Sequence, residues 1–257
     1  MDANVCFYCG ARRPGLWGFG PVASRLIGRL DFARAVMVVC VVAYVVSILL
    51  DPRAALSARS PFDLLSPGFG ALVTLGMTGA APWAAGWWWT LLTAIYLHGS
   101  LLHLVFNLLW VHQLAPPVEE IFGPARLVII FTVAGVAGFV LSNVVGLAWT
   151  VGASGAVFGL LGAMVAYGRT RGGTFGLAVL RQYGQWAAIM FIFGFFMTGV
   201  NNWGHAGGFV GGYLAALALG HRERQRELGL HRVAALAAVG LTLLAFGLAV
   251  WNGFLRS

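Results

Sequence analysis

The chain has 257 residues, of which 60% are hydrophobic and only 9% are charged. Soluble domains contain about 45–50% apolar and about 25% charged residues, so this composition excludes a water-soluble globule and predicts a membrane protein. The net charge of +8 would suit a nucleic-acid partner. We expect no nucleic-acid partner, because the arginines lie mostly in loops on one side of the membrane, where positive charge sets the orientation of the chain.

The first 32 residues precede the first apolar stretch and contain Cys6 and Cys9 in the sequence VCFYCG. Zinc sites use four ligands, so this CxxC motif supplies half of a set. Two interpretations stay open: a zinc or partner site completed by another chain, and a reduced cytoplasmic tail without metal. The segment has no apolar h-region, so we expect no cleavable signal peptide.

Seven apolar stretches follow, and a membrane-spanning helix needs about 20 such residues. Proline and glycine clusters separate several of them, for example Ala115-Pro116-Pro117 and Arg171-Gly172-Gly173. The sequence therefore predicts an all-α polytopic membrane protein. The predicted spans are 33–50, 91–114, 125–148, 154–168, 185–200, 204–220 and 233–252.

Arginines set the predicted orientation, because positively charged short loops stay on the cytoplasmic side of the membrane. Thirteen arginines fall in the amino-terminal segment and in the loops after the second, fourth and sixth spans, whereas three fall on the other side. This asymmetry predicts a cytoplasmic amino terminus and an external carboxyl terminus. The compact chain with short loops favours a bacterial cytoplasmic membrane.

Two polar residues begin spans that run from outside to inside. Ser154 begins the fourth span in GASGAVFGL, and His205 begins the sixth in NNWGHAGGFVGG. A serine hydroxyl becomes a good nucleophile only when a base removes its proton. We expect no Asp or Glu in the outer half of any span, which predicts a Ser–His dyad rather than a triad. A fourth span of about 15 residues covers only about 22 Å, which would place Ser154 in a water-accessible depression.

The second span, LHGSLLHLVFNLLW, supplies further polar groups. His103 and Asn107 are four residues apart and therefore share one face of a helix. With the backbone N–H of Ser154 at a helix start, they are candidate donors for an oxyanion.

Small residues on the fourth and sixth spans predict that these helices approach closely. Gly155 and Gly159 are four residues apart, as are Gly208 and Gly212, and this spacing lets helices touch in membranes. A hydrogen bond between the serine and the histidine requires such an approach. Phe158 lies on the same helix face as the serine, where its ring could pack against the imidazole.

Each of these residues also has a structural explanation. A lone serine in a glycine-rich membrane helix usually serves packing, and an asparagine can join two helices by a hydrogen bond. A channel or transporter that uses His98, His103 and His205 as a polar path needs polar residues in the inner halves of the spans. The inner sequences FGLLGAMVAYG and GYLAALALG contain almost none. The convergence of these groups at one depth favours catalysis.

The segments LHGSLLHLVFN, GASGAVFGL and HAGGFVGG resemble, in order and spacing, the signature segments of the rhomboid family of intramembrane serine proteases. The resemblance covers about residues 85–220. It implies a six-helix core that cleaves transmembrane segments of other proteins without a cofactor. It divides the chain into a cytoplasmic segment over 1–32, the core over 33–220, and a cytoplasmic loop with a seventh helix over 221–257.

The resemblance also implies roles for individual residues. Ser154 matches the nucleophile, His205 the base, and His103 with Asn107 the oxyanion-stabilising pair. Supporting positions match the glycine before the serine, a further polar residue, an aromatic residue stacked on the histidine, and close-packing glycines: Gly152, His98, Phe158, Gly208 and Gly212.

The resemblance includes one further match and one departure. Glu119 and Gly123 match a motif that ends the second helix, whereas Thr90 stands where family members often have an arginine in the first outer loop. That departure leaves the anchoring of the loop open. The alternative function is that of a catalytically inactive relative that binds transmembrane clients. Inactive members typically lack the serine or the histidine, and this chain has both.

Overall fold

The computed structural model describes residues 31–57, 63–197, 199–223 and 226–256. Within them the chain is all-α, and seven long helices lie at the seven predicted spans. They are α1 (Phe32–Leu50), α2 (Leu101–Phe122), α3 (Pro124–Val144), α4 (Ser154–Arg171), α5 (Gly173–Phe196), α6 (Asn202–Leu219) and α7 (Gly229–Arg256). Of the helices in these described ranges, four are long and apolar enough to cross a membrane: α1, α2, α3 and the Gly229–Gly253 part of α7. The predicted all-α polytopic fold is confirmed.

The long connection between α1 and α2 is also largely helical. Its short helices are Pro52–Ala55, Phe69–Thr74, Ala80–Ala84 and Thr90–Thr93, followed by a 3₁₀ turn at Ala94–Tyr96. The helices Phe69–Thr74 and Thr90–Thr93 pack against α7, and Thr90–Thr93 also packs against α3. This connection therefore covers the end of the bundle where α4 and α6 begin, which we call the site end.

Helix α4 lies at the centre of the bundle and packs against α2, α3, α5 and α6. From Gly155 to Gly168 every residue except Val165 is buried. Apolar and small residues on all sides, rather than along one stripe, are typical of a helix surrounded by protein. The position of α4 therefore determines where its four neighbours lie.

Backbone contacts backbone where α6 crosses α4. A Cβ added to Gly208 or Gly212 of α6 would overlap the backbone of Gly155 or Gly159 of α4. On the other side of α6, a Cβ at Gly207 would lie 2.8 Å from a carbonyl oxygen of α3. In a bilayer, helices associate through such close packing because lipid offers no hydrophobic driving force between them.

The predicted start of the second span, at residue 91, is wrong. Residues 91–100 complete a short helix, a 3₁₀ turn and a loop, and α2 begins at Leu101. Ser100 caps this helix, because its Oγ accepts a hydrogen bond from the backbone N–H of His103 at 3.3 Å. Apolar composition alone gave no sign of this start, since residues 91–97 are as apolar as the helix that follows.

The predicted end of the second span is also wrong. Helix α2 continues through Pro116 and Pro117, which the sequence analysis treated as a separator, and ends at Gly123. Prolines are tolerated in membrane helices where surrounding groups satisfy the freed carbonyls. Gly123 ends the helix because its φ of +96° is a conformation that favours glycine.

Helices α4, α5 and α7 are longer than predicted, and α7 covers Gly229–Arg256 rather than 233–252. Helix α4 continues to Arg171, and its 18 residues cover about 27 Å. The difference between its length and the thickness of the hydrocarbon layer is therefore smaller than expected. Helix α5 begins at Gly173 rather than at 185. Arginine, glutamine and glycine lower the hydropathy of this early part. It is helical because it packs on α4, where a Cβ at Gly168 would lie 2.8 Å from the carbonyl oxygen of Gly176.

A polar cluster joins the start of α7 to the corner between α2 and α3. Arg126 is fully buried. Its guanidinium donates to the carbonyl oxygens of Phe122 and Arg226 at 3.3 and 3.0 Å, and to Nδ1 of His231 at 3.2 Å. The Glu227 carboxylate accepts a hydrogen bond of 2.8 Å from the first turn of α3, where the helix dipole favours negative charge.

We predict opposite effects of alanine at two glycines. Gly212→Ala lowers the melting temperature in detergent, because its Cβ forces α4 and α6 apart at a cost of about 1–3 kcal/mol. Gly240→Ala, on α7 with nothing within 4 Å of an added Cβ, leaves the melting temperature unchanged or raises it, because alanine favours helix by up to about 1 kcal/mol. Thermal unfolding of both variants measures this. Equal shifts would contradict the backbone contact.

Candidate active site

Ser154 is the first residue of α4 and follows a turn that favours glycine. Gly152 has a φ of +126°, and its N–H donates to the carbonyl oxygen of Ala94 at 2.9 Å. The first four N–H groups of a helix lack helical partners, and the helix dipole is positive at this end. The half-buried Ser154 side chain therefore lies where negative charge is stabilised.

His205 lies in the first turn of α6 and is 7% exposed. Its ring stacks on Phe158 of α4, with centroids 4.2 Å apart and planes 14° from parallel. Phe158 is one turn after Ser154 on the same helix face. The stack therefore holds the imidazole against the face of α4 that carries the serine.

The first turns of α4 and α6 are close, although the serine and the histidine are not bonded. A Cβ at Gly155 would lie 3.3 Å from the carbonyl oxygen of Gly204. Among the described residues, no hydrogen bond joins Ser154 Oγ to His205. Hydrogen bonds of unliganded active sites are often long and tighten when substrate binds. The Ser154–His205 hydrogen bond stays a prediction.

Asn202 contacts the imidazole from its own helix, and the sequence analysis did not identify it. Its Oδ1 lies 3.2 Å from Nδ1 of His205. Because a carbonyl oxygen only accepts, Nδ1 carries the proton and Nε2 has a free lone pair in the neutral ring. Gly194 of α5 leaves space for this amide, since a Cβ there would overlap Oδ1. The sequence feature that could have identified Asn202 is its position three residues before His205, which places both side chains on one helix face.

His103 lies on α2 against the turn before Ser154. Its Nδ1 accepts a hydrogen bond from the N–H of Gly99 at 3.3 Å, so the proton of the neutral ring is on Nε2. A Cβ at Gly152 would lie 2.6 Å from this Nε2. A histidine donor therefore lies beside the chain that leads into α4, and any side chain at 152 would displace it.

Asn107 and His98 complete the polar groups of α2 and the loop before it. Nδ2 of the buried Asn107 donates to the carbonyl oxygen of His103 at 2.9 Å. The His98 ring is fully buried, and its centroid is 5.1 Å from that of His103. Its Nδ1 lies 3.3 Å from the carbonyl oxygen of Tyr96, and its Nε2 has no hydrogen-bond partner in the described chain. These groups fix His103 from two sides.

The structure thus gathers the predicted residues into two adjacent groups. Ser154, Phe158 and His205 lie where α4 meets α6, and His103, Asn107 and Gly152 lie where α2 meets the turn before α4. Gly208 and Gly212 lie farther along α6 and act only on the distance between helices.

Metal ligands are scarce in the described chain. Residues 31–57, 63–197, 199–223 and 226–256 contain no group of three or more His, Cys, Asp or Glu side chains that could hold a metal ion. Cys6 and Cys9 lie outside the described residues. Cys40, which is buried in α1, is a free thiol.

Comparison with known proteins finds similarity to members of a single protein family. The sequence model of a family described as the Rhomboid domain matches residues 85–222. Rhomboid protease GluP of Bacillus subtilis (strain 168) is 38% identical over 153 residues, which are 58% of this chain and 29% of GluP. Putative rhomboid protease YdcA of the same organism is 30% identical over 145 residues, which are 56% of this chain and 73% of YdcA.

A plant relative shows a comparable sequence identity to this chain. RHOMBOID-like protein 1 of Arabidopsis thaliana is 32% identical over 132 residues, which are 49% of this chain and 33% of that protein. The chain therefore spans a third or less of the length of GluP and of the plant protein.

We predict that Gly152→Ala destabilises the protein more than Gly146→Ala. Both glycines have positive φ, +126° and +84°, so alanine is strained at each by about 1–2 kcal/mol. Only at Gly152 does the added Cβ also meet the His103 ring, because nothing lies within 4 Å of a Cβ at Gly146. Melting temperatures in detergent measure the difference. Equal losses would mean that His103 does not lie against Gly152.

Proposed function

This chain belongs to the rhomboid family of multi-pass membrane proteins, and we propose that it is an intramembrane serine protease that cleaves transmembrane segments of other membrane proteins. The stack of Phe158 on His205 carries the proposal, because it holds an imidazole beside the start of α4, one turn from Ser154. Relatives named as rhomboid proteases support the same activity.

His205 has the protonation state that a base requires. The contact of Nδ1 with the Asn202 amide oxygen, at 3.2 Å, keeps the ring proton on Nδ1 and leaves Nε2 free to accept one. Asn202 thus acts as a positioning residue, in the place that a carboxylate takes in a Ser-His-Asp triad. A neutral amide suits a buried site, where an unpaired carboxylate would be costly.

The proposed reaction is acyl transfer through Ser154. Its Oγ attacks the carbonyl carbon of the scissile peptide while its proton passes to Nε2 of His205. As the tetrahedral intermediate collapses, the carbon–nitrogen bond breaks and the proton moves to the leaving amine. A water molecule then attacks the acyl ester, with His205 again as base, and releases the carboxylic product.

Donors for the oxyanion come from two helices. The backbone N–H of Ser154 lies at the positive end of α4, and the neutral His103 ring carries its proton on Nε2, beside Gly152. The Asn107 amide uses one N–H on the carbonyl of His103 and has a second one to offer. Such preorganised donors are a major source of catalysis in acyl transfer.

The substrate class follows from where the site lies. The arginine asymmetry supports an orientation with the site end at the outer surface, so cleavage would fall near the outer end of the substrate helix. A helical backbone hides its carbonyls, so the substrate must unwind there, which small or helix-breaking residues favour. An apolar surface for such a helix is available on α5, at Ile189, Ile192, Phe193, Phe195 and Phe196, all exposed.

The first test is covalent labelling of the detergent-solubilised protein with a fluorophosphonate probe. We expect labelling of the wild type, and none of Ser154→Ala or His205→Ala, because neither retains an activated serine. Ser47→Ala is the matched control: this buried serine of α1 donates to the carbonyl oxygen of Tyr44 at 2.7 Å, so its loss leaves labelling intact.

A folded wild type that is neither labelled nor able to cleave a model transmembrane substrate would contradict the protease function. The missing hydrogen bond between Ser154 and His205 would then describe an inactive state, and the protein would be a relative that binds transmembrane clients. Testing a substrate as well as the probe separates a closed site from an inactive one.

A second test concerns the oxyanion donors. Asn107→Ala should lower kcat for a model transmembrane substrate by about 10²–10³-fold, the range for loss of one oxyanion donor. KM should change little, since this contact forms mainly in the transition state. Steady-state kinetics in detergent measure both. A rise in KM with unchanged kcat would instead assign Asn107 to substrate binding.

A further inference from the structure

We propose that the hydrogen bond between Asn201 and Thr150 is a positioning contact that sets the distance between the serine and the histidine of the active site. The inference rests on the proposed protease function. It concerns two residues that do not belong to the reacting groups. Neither residue touches the substrate carbonyl in this proposal.

The two residues occupy equivalent places before the two reacting residues. Thr150 is four residues before Ser154, and Asn201 is four residues before His205. Nδ2 of Asn201 donates to Oγ1 of Thr150 at 3.0 Å. In the described chain, this is the only hydrogen bond between residues 149–153 and residues 201–219, which comprise α6 and its N-cap. It therefore links the segment that leads to the serine directly to the helix that carries the histidine.

The Asn201 amide has a single defined orientation. Its Oδ1 accepts the N–H of Gly204 at 2.8 Å and so caps α6, one residue before His205. Besides its bond to Thr150, the amide nitrogen Nδ2 donates a hydrogen bond to Oγ of Ser142 on α3 at 2.8 Å. An amide has one acceptor oxygen and two N–H donors, and these contacts employ the oxygen and the nitrogen together. Asn201 therefore cannot rotate without losing a contact.

Thr150 is fixed by its backbone. It pairs with Thr78 of the long connection, with hydrogen bonds of 3.3 and 2.7 Å between their backbones. Thr78 is itself buried, and its Oγ1 accepts bonds from Oγ1 of Thr90 at 3.0 Å and Nδ2 of Asn143 at 3.3 Å. The network thus extends from Thr90, where family members often have an arginine, to the start of α6.

This network acts on geometry more than on stability. A polar contact between membrane helices contributes little to stability on average. A displacement of about 1 Å between reacting groups, however, can lower a rate by about 10²-fold. The loss of this one bond should therefore affect the acylation of Ser154 far more than the melting temperature.

Thr150→Val and Ser142→Ala form a matched pair, because each removes one acceptor of the same Asn201 nitrogen. Only Thr150 lies on the segment that leads to Ser154. We expect Thr150→Val to lower kcat and the rate constant of fluorophosphonate labelling by about tenfold or more, with KM unchanged. Thr150→Ser, which keeps the hydroxyl, should restore both. Ser142→Ala should retain acylation within about twofold, with a loss of melting temperature similar to that of Thr150→Val.

The outcomes separate this inference from the proposed function. A wild type that is neither labelled nor active overturns the protease function itself. A reactive wild type with an equally reactive Thr150→Val overturns only the positioning role. Equal losses of acylation in Thr150→Val and Ser142→Ala also overturn it, because they would assign the effect to the general packing of the site end.

Discussion

The contact between the backbones of α4 and α6 is the constraint on which the rest of the structure depends. At Gly155 and Gly159 of α4 and at Gly208 and Gly212 of α6 no side chain separates the helices, so carbonyl oxygens and Cα atoms meet directly. Because α4 is surrounded by four other helices, its distance from α6 is determined by the whole bundle. Both candidate reacting residues lie in the first turns of these helices. The ring of Phe158 then fills the space between them and sets the plane of the imidazole.

The buried polar groups at this end are organised by a second constraint. Polar atoms in an apolar bundle are costly unless they are hydrogen-bonded, and here Asn143 bonds to Thr78, and Asn201 bonds to Thr150 and to Ser142, each in another segment. The site is consequently held by hydrogen bonds that are buried or partly buried. An environment of fixed dipoles needs little rearrangement when charge develops, which is the condition for electrostatic catalysis.

The sequence predicted the fold class and the positions of the long helices, because hydropathy reports burial in lipid or protein. It failed at boundaries such as Leu101 and Gly173, where hydropathy does not change with the backbone, and at Pro116, which lies inside a helix. Ser154, His205, His103 and Asn107 were conspicuous as polar residues in apolar spans. Asn201, Asn202 and Thr150 were missed, since polar residues beside a loop are ordinary and only the folded chain brings them together.

The cluster around Arg126 connects the segment that includes the last long helix to the start of α3. The buried guanidinium of Arg126, in the first turn of α3, donates hydrogen bonds to the carbonyl oxygen of Arg226 and to Nδ1 of His231, which lie beyond the sixth helix. A chain ended after residue 220 would retain the buried cation and its bond to Phe122 but lose these two acceptors, and a buried charge with too few partners is costly. Residues beyond the sixth long helix therefore stabilise the start of α3, and the stability of the first six long helices depends on the segment that follows them.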